Sequence, residues 1–560
     1  MGVLIAGACA WGCAAGSGSG PGGQVLPPNV SVGGAPGGGG IAGVGGSGGV
    51  AGLPGGAGFG VAGGIGLPPP PVFPLGPIVD PGVPLNAPQV FGQPSSPGGG
   101  PCLVAPEVHG PGAMFPTNWL PPRFRFELPG DHDVAELRLR SPTQPNDLVV
   151  YTTATQWTMP VDMWSALTAA AAGQPIEVQL RSARVGGAPS PPQLGSTGLI
   201  WIAPVPAAGS IIYWDIDDLT NETLLRGFKA GEEAVQTVVG ESQVSSSTQC
   251  IGCHASTPDG RYLAFSQTAT PRIGNPATIV FASAEGQVAA PPFMSPAGEA
   301  MLGRQQQHIP AFSRAHWSPG DRIMLSMFKD GGAGLSQIIW TDLEAVSDQQ
   351  GQGWDVIQRI GDSGEPSGAD FSPDGTKIVY ASGPADVGII VKSGGDLYVV
   401  PYNQRQGGMA LPLAGGSTPE FNEFMPTFSP DSKLVVFARV GNHSHSANNL
   451  ESEVLVVPAN GGIATRLAAN DPPQCTGRQS PGTANSWPKW SPEARSVGTR
   501  TYYWLLFSSQ RIGVIRQLFI AGLVEEAGTL TSYNAVHLWN QPEDRNNLTP
   551  TWENVVLAPQ

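Results

Sequence analysis

The stretch ADFSPDGTKIVYAS, residues 369–382, combines a tight turn with the strand that follows it. Proline fixes φ at the first turn position, aspartate bonds to its own backbone, and glycine supplies the positive φ that completes the turn. After Gly375 the side chains alternate, so that Ile378 and Tyr380 share one face while Val379 lies on the other, as they do in a strand. The stretch therefore predicts one turn and one strand of an all-β fold.

Further copies of this pattern lie on both sides of it. Four clear copies and one degenerate closing copy accompany the first: HASTPDGRYLAFSQ (254–267), AHWSPGDRIMLSMF (315–328), PTFSPDSKLVVFAR (426–439), PKWSPEARSVGTRTYYWLLFSS (488–509) and LTPTWENVVLAP (548–559). The turn prolines are 61, 54, 57 and 62 residues apart, at Pro258, Pro319, Pro373, Pro430 and Pro492. One four-stranded sheet with its loops accounts for such a period. Because a single sheet of this kind cannot bury both of its faces, the copies are expected to stack radially into a closed ring.

The repeated Ser-Pro-Asp-Gly-x-x-Ile-x-Phe pattern resembles the WD-like repeats of TolB-like β-propellers, over about residues 250–560. The resemblance implies a propeller that occupies residues 206–560. Five clear copies, together with strands between residues 198 and 240, would make six blades, and seven blades is the alternative.

Residues 101–205 have a different character. Alternating segments such as FRFELPGDHDVAELRLRS (124–141) and QPIEVQLRSARVGG (174–187) predict strands with one buried face. VDMWSALTAAAAG (161–173) predicts one short helix that ends at Gly173. Strands at this spacing predict a small β-sandwich, which looks like a fibronectin type III or immunoglobulin-like module.

The N-terminal hundred residues are of low complexity, and Asp80 is their only charged residue. Residues 14–100 are rich in glycine and proline, which predicts a disordered tether. Residues 1–13 resemble the remnant of a bacterial lipoprotein signal, with Cys9 or Cys13 as the lipidated residue; the basic n-region is absent, and an ordinary apolar start is the alternative. We therefore expect a protein of the bacterial cell envelope, in the periplasm or on the outer surface. Its contact with a membrane would be through a lipid anchor.

The overall charge narrows the class of partner. Only 13 % of residues are charged, the formal net charge is -15 and the pI is about 4.9. A chain without a basic stripe does not suit nucleic acid. An acidic balance by itself favours solubility over any particular partner.

One short motif carries recognisable chemistry. Cys250-Ile251-Gly252-Cys253-His254 has the Cys-x-x-Cys-His spacing of a c-type haem site, and this composition predicts roughly 0.001 chance occurrences. In such a site two thiols reach the vinyl groups, and the histidine becomes the proximal iron ligand. The chain thus resembles mosaic proteins that fuse this motif to TolB-like repeats, which implies a covalently attached haem c. The sequence around the motif predicts a strand and a turn. We therefore expect the haem on the propeller rim or between the propeller and the sandwich, carried by the loop before a strand.

Three other interpretations of the motif remain open. Cys250 and Cys253 could form a structural disulfide, contribute half of a zinc site, or act as a thiol redox pair. A second C-x-x-C or H-x-x-x-H to complete a zinc site is absent from the sequence. A βαβ pattern that would support the redox pair is also absent.

The sequence also leaves the identity of the sixth iron ligand undetermined. The segment FMSPAGEAMLGRQQQHIPAFSRAHW (293–317) contains Met294, Met301, His308 and His316. We single out His308, or Met301, as the distal candidate. A methionine would raise the reduction potential, whereas an empty position would allow ligand chemistry. Cys102 and Cys475 could pair and join the sandwich to the propeller, but sequence does not give their distance.

Three functions are compatible with these features. The first is a haem c protein of the envelope that transfers electrons or senses redox state with a redox or envelope protein as partner. The second is a non-enzymatic scaffold that binds a protein or glycan, with Cys250–Cys253 as a disulfide. A propeller enzyme that uses the haem as electron acceptor is a third. The sequence contains no P-loop or H-E-x-x-H motif, which favours a non-enzymatic role.

Overall fold

A computed structural model describes residues 72–269, 277–304, 307–329, 336–384, 394–441 and 449–557. The fold is all-β, as the sequence predicts. The signal remnant 1–13, with Cys9 and Cys13, and the part of the tether up to residue 71 lie outside the described residues.

Two sheets form the N-terminal part of the described chain. The strands and helices, in chain order, are β1 (Ile78–Val79), α1 (Ala87–Phe91), β2 (Ser96–Pro97), β3 (Cys102–Ala105), β4 (Ala113–Phe115), β5 (Arg123–Glu127), β6 (Val134–Arg140), β7 (Leu148–Thr152), β8 (Gln156–Thr158), α2 (Val161–Ala171), β9 (Pro175–Ala183) and β10 (Gln193–Ile202). One sheet has the order β1-β7-β6-β9-β10-β2, with β4 also paired to β10, and the other has the order β3-β5-β8. The predicted helix is α2. The assignment of a fibronectin-like or immunoglobulin-like module stays a prediction.

The tether prediction is wrong for the segment from residue 72 to residue 100. Ile78 and Val79 pair with β7 in parallel register. Helix α1 buries Ala87, Val90 and Phe91 against a cluster that includes Tyr151 of β7. The segment is proline-rich, yet its few apolar side chains give enough burial to order it.

Six antiparallel sheets follow along the chain, and we number them blades 1 to 6. Blade 1 contains β11 (Ser210–Ile216), β12 (Thr223–Lys229) and β13 (Gln236–Gly240), and α3 (Glu241–Val244) follows it. Blade 2 contains β14 (Cys250–Ser256), β15 (Tyr262–Thr268) and β16 (Thr278–Ser283), and α4 (Pro296–Leu302) follows it. Blade 3 contains β17 (Gln307–Ser318), β18 (Asp321–Phe328), β19 (Gln337–Asp342) and β20 (Trp354–Val356).

The remaining blades continue the pattern. Blade 4 contains β22 (Glu365–Phe371), β23 (Lys377–Gly383), β24 (Asp396–Pro401) and β26 (Leu411–Pro412), next to a two-stranded sheet of β21 (Gln358–Ile360) and β25 (Gly407–Met409). Blade 5 contains β27 (Phe421–Phe428), β28 (Leu434–Gly441), β29 (Glu453–Pro458) and β30 (Thr465–Arg466), followed by 3₁₀ turns at Ala468–Asn470 and Gln474–Thr476. Blade 6 contains β31 (Ser486–Trp490), β32 (Arg495–Val497), β33 (Arg500–Ser509), β34 (Gln517–Glu526), β35 (Thr529–Ser532) and β36 (Val536–His537).

The last strand closes the ring. β37 (Asn546–Glu553) comes from the degenerate closing copy and pairs antiparallel with β11, so the C-terminal end of the chain completes blade 1. The segment 198–202 belongs to strand β10 of the sandwich and adds nothing to a blade. The six described sheets agree with the prediction of six blades, and the blade count stays a prediction.

The Ser-Pro-Asp-Gly turn forms as its residue types predict. Asp374 Oδ1 accepts hydrogen bonds from the backbone N–H of Thr376, at 3.0 Å, and from Ser372 Oγ, at 2.7 Å. Gly375 has a φ of +73°. Where the repeat has serine in place of glycine, Ser432 adopts the same left-handed region with a φ of +61°.

The sandwich and the propeller share one hydrophobic core. This core joins residues of β6, β9 and β10 to Trp504 and Ile520 of blade 6. Cys102 and Cys475 form a disulfide with a Cα–Cα distance of 5.5 Å, which confirms their proposed pairing. Hydrophobic burial and one covalent bond therefore hold the two parts together.

Candidate functional site

Each blade presents one strand to the centre of the ring, and each of these strands carries a β-bulge at the same place. The inner strands are β14, β17, β22, β27, β31 and β37, and the pairing register shifts within each of them. A bulge needs a residue with unusual backbone angles. The bulge residues have positive φ: Cys253 (+24°), Ile309 (+52°), Gly368 (+57°), Met425 (+54°), Trp487 (+57°) and Thr549 (+39°).

The residue after each bulge is proline in four of the six strands. These residues are His254, Pro310, Ala369, Pro426, Pro488 and Pro550. Proline lacks an N–H, so it suits a position where the strand pairing is interrupted. His254 therefore brings a titratable imidazole to a position where proline or alanine meets the structural requirement in the other blades.

The bulges line a channel along the axis of the propeller. The channel has an empty volume of about 1380 Å³ that is continuous with solvent, and residues from all six inner strands surround it. Cys253 and His254 are among the lining residues. The Cys-x-x-Cys-His motif thus lies on inner strand β14 at the channel, and the expectation of a site on a loop at the propeller rim is wrong.

The bulge brings both cysteines of the motif into one hydrophobic cluster. On a regular strand, residues 250 and 253 would point to opposite faces. The register shift between Gly252 and His254 changes this alternation, and Cys250 and Cys253 both pack in the cluster that contains Ile251. Cys250 is fully buried, and Cys253 is disulfide-bonded.

His254 is held by one nitrogen. Its Nε2 lies 3.2 Å from the carbonyl oxygen of Ile212 in blade 1. Its Nδ1 is buried and has no hydrogen-bond partner among the described residues. Burial lowers the pKa of His254 to about 4, so the ring is neutral at physiological pH. A neutral imidazole fixed through one nitrogen leaves the lone pair of the other nitrogen for a ligand.

The distal candidates fall at different places. His308 lies on β17 of the adjoining blade, directly before the bulge residue Ile309. It is buried, its Nδ1 has no partner among the described residues, and burial lowers its pKa to about 4. Met301 packs instead in a separate cluster with Phe328 and Trp354. His308 thus lies on the inner strand next to that of the motif, and Met301 packs in the core of blade 3.

The other two candidates have structural contacts. Met294 packs against a cluster around Leu302 and Leu343. His316 Nδ1 lies 2.8 Å from Asp321 Oδ2, and its Nε2 lies 3.1 Å from the carbonyl oxygen of Gly375.

Charged side chains from four blades also line the channel. They are Arg314, Asp370, Lys489 and Glu553. Asp370 Oδ2 accepts a hydrogen bond from the backbone N–H of Phe428 at 2.9 Å. These four residues are not apparent from the sequence, because the repeat aligns on its turn and the bulge that points side chains inward has no residue signature.

In the ranges that the structure describes, no group of three or more His, Cys, Asp or Glu side chains is arranged to hold a metal ion. The described helices include none with the length and apolar character needed to cross a membrane.

Comparisons with known proteins found matches among solved structures alone. Neither a family model nor a curated protein matches the chain. Among solved structures, Kuenenia stuttgartiensis hydrazine synthase aligns over 62 % of this chain with 10 % identity and a TM-score of 0.38, and a prolyl endopeptidase aligns over 60 % with 13 % identity and a TM-score of 0.30. The GH43 endo-arabinanase from Bacillus licheniformis aligns over 50 % with 13 % identity and a TM-score of 0.26.

The alignments cover 46 % of the hydrazine synthase chain, 48 % of the prolyl endopeptidase chain and 95 % of the arabinanase chain. The chain thus spans less than half the length of the first two. At these identities and TM-scores the likeness carries no argument about this chain. The six described sheets around one channel, closed by β37, make the chain a β-propeller.

Proposed function

We propose that this chain is a haem c-carrying β-propeller of the bacterial cell envelope that transfers electrons or senses redox state. The observation that carries the proposal is the position of Cys253 and His254. They line the central channel at a bulge where the other five blades have residues without thiol or imidazole groups. A disulfide accounts for Cys253, whereas proline or alanine takes the place of His254 in the other blades, so a chemical role is the better explanation for the imidazole.

The three motif residues differ in how well they fit a haem. His254 is neutral and presents an unpartnered nitrogen, which suits an axial ligand. Cys253 lies at the channel, and its disulfide would have to be reduced before a thioether could form. Cys250 does not fit in this packing because its side chain is fully buried in the cluster of blades 1 and 2. Attachment through both sulfurs requires the start of β14 to rearrange.

The experiment that tests the proposal is a pyridine haemochrome spectrum of the full chain, expressed in a periplasm with the haem c maturation system. We expect one covalent haem per chain. Since Cys253 lines the channel and Cys250 does not, Cys250→Ala should retain a haem held by a single thioether, whereas Cys253→Ala should lose covalent haem.

The matched control removes the other cysteine pair. Cys102→Ser/Cys475→Ser should keep its haem, because this disulfide lies between sandwich and propeller. A colourless wild-type chain with its thiols and disulfides intact would overturn the proposal.

The disulfide supports the location outside the cytoplasm. Disulfides persist in oxidising compartments such as the periplasm, and Cys102–Cys475 connects residues 373 positions apart. Lipid attachment at Cys9 or Cys13 remains part of the proposal. Mass spectrometry of the N-terminal peptide from membrane-derived protein tests it, since an unmodified peptide would contradict an anchor.

A non-enzymatic binding scaffold is the second candidate. The observation that favours it is the channel itself, whose volume and charged lining do not depend on a haem. A colourless protein that still binds a ligand in the channel would favour this function over the first.

A further inference from the structure

The four charged residues of the channel differ in how their hydrogen-bonding groups are used. Both carboxylates have partners in the protein. Asp370 accepts from the backbone of Phe428, and Glu553 Oε2 accepts from Ser256 Oγ at 3.1 Å. Burial raises the pKa of Asp370 and raises that of Glu553 to about 7, against the opposing effect of Lys489. Glu553 is therefore only partly ionised at neutral pH.

The two cations lack comparable partners. Within the described ranges no carboxylate oxygen lies within 4.0 Å of Lys489 Nζ, and this group makes no hydrogen bond there. The Arg314 guanidinium donates one hydrogen bond, to the carbonyl oxygen of Pro492 at 2.5 Å. An ammonium has three donors and a guanidinium has five, so most of the donors at this site are left for a ligand.

The walls of the channel add an apolar component. Several rings and one thioether chain surround the charges: Pro310, Pro426, Pro488, Pro550, Trp487 and Met425. A concave, mostly apolar site with a few polar groups is the usual form of a small-molecule pocket. Such a lining suits a ligand with an apolar body and a carboxylate that reaches Lys489 and Arg314.

We propose that Lys489 and Arg314 form a carboxylate-binding site in the central channel. The carboxylate belongs either to a propionate of the haem proposed above or to a free small carboxylate with an apolar body. The site needs only the channel and its two cations, so it holds whether or not a haem is attached.

The test is a calorimetric titration of the full-length Cys250→Ala/Cys253→Ala chain, which cannot attach haem, with 3-phenylpropionate at low salt. The neutral isostere 3-phenylpropanamide is titrated in parallel. We expect the amide to bind at least about tenfold more weakly, because a charge-assisted hydrogen bond is lost. Equal affinity for the acid and the amide, or no binding of the acid at millimolar concentration, would overturn the proposal.

Substitutions locate the site. Lys489→Met should remove the preference for the acid. Arg314→Gln should reduce this preference, and it serves as the second variant in case Lys489→Met fails to fold. Lys433→Met is the matched control, since Lys433 is an exposed lysine already paired with Asp431. Unchanged binding in both Lys489→Met and Arg314→Gln would contradict the assignment.

A second arm separates the two sources of the carboxylate. The same titration is made on haem-loaded wild-type chain. If loading abolishes binding of 3-phenylpropionate, a haem propionate occupies the site; if binding persists, the ligand is a free carboxylate. Should no haem attach at all, the haem proposal fails, and the titration of the colourless chain still decides this one.

Discussion

At the residue scale, His254 occupies a position that proline holds in four of the other five inner strands. The sequence identifies it through the Cys-x-x-Cys-His spacing. The spacing does not show that the ring is buried or that Nε2 bonds to Ile212 in another blade, because those facts depend on how blade 1 packs against blade 2. The motif could be predicted from the sequence, whereas the surroundings of His254 become known only from the folded structure.

Protonation of His254 should destabilise the apo chain in acid. The pKa of His254 in the folded chain, about 4, lies below the ordinary histidine value of 6.5, so the unfolded chain binds more protons between these pH values. The contribution of the neutral imidazole to the free energy of unfolding is fully present above pH 6.5. It falls as the pH drops towards 4, by up to about 3 kcal/mol.

The measurement is urea denaturation of the apo chain at several pH values. His254→Gln should show a shallower loss of stability between pH 6.5 and 4 than the wild-type chain. Identical slopes for the two proteins would show that the imidazole does not titrate as its burial requires.

At the scale of the element, the turns after inner strands β14 and β17 both contain a glycine with positive φ. One of these glycines also lies against a neighbouring blade. Gly260 has a φ of +71°, and a Cβ there would lie 2.0 Å from the carbonyl oxygen of Asn554. Gly320 has a φ of +81° and nothing within 4 Å of such a Cβ. At both positions the left-handed backbone would strain a residue other than glycine, and the two differ in the space left for a Cβ atom.

Substitution of these glycines should therefore give unequal losses. Gly320→Ala should cost about 1 to 2 kcal/mol, the cost of a left-handed non-glycine residue. Gly260→Ala should cost more, because the backbone of blade 1 has to move. Chemical denaturation of both variants measures the difference, and equal losses would contradict the close contact between blades 1 and 2.

The sequence predicted the turns better than the bulges. Ser-Pro-Asp-Gly has a residue-type signature, whereas the bulge residues Ile309, Met425 and Trp487 have no shared chemistry despite their positive φ. Blade 3 shows the consequence. Its Ser318-Pro319 lies at the hairpin between β17 and β18, and Arg314 takes the channel position that the turn proline has in other blades. The alignment on Pro319 therefore hid a channel residue.

At the scale of the whole molecule, a buried ion pair joins the sandwich to blade 6. Arg511 Nη1 lies 2.8 Å from Glu107 Oε1, and both side chains are almost fully buried. Arg511 also donates to the carbonyl oxygen of Ala469 and to Asn485 Oδ1. The sequence could not show that Glu107 and Arg511, 404 positions apart, form an ion pair, because it does not give the distance between such residues. The pairing of Cys102 stayed open for the same reason.

Removal of this arginine should weaken the whole unit. Arg511→Met leaves Glu107 buried without its partner, which should cost about 3 to 5 kcal/mol. Arg500→Met is the control, because Arg500 pairs with Glu526 at the surface of the same blade and should have little effect. Thermal unfolding compares them, and similar melting temperatures for the two variants would contradict a structural role of the buried pair.

The most direct test of the central claim is the intact mass of the full chain, purified after expression with the haem c maturation system. The position of Cys253 and His254 at the channel predicts a mass equal to the polypeptide plus one haem, retained after denaturation. A mass equal to the polypeptide alone, from cells that load a control cytochrome c, would contradict the haem proposal and leave a propeller that binds its ligand without a cofactor.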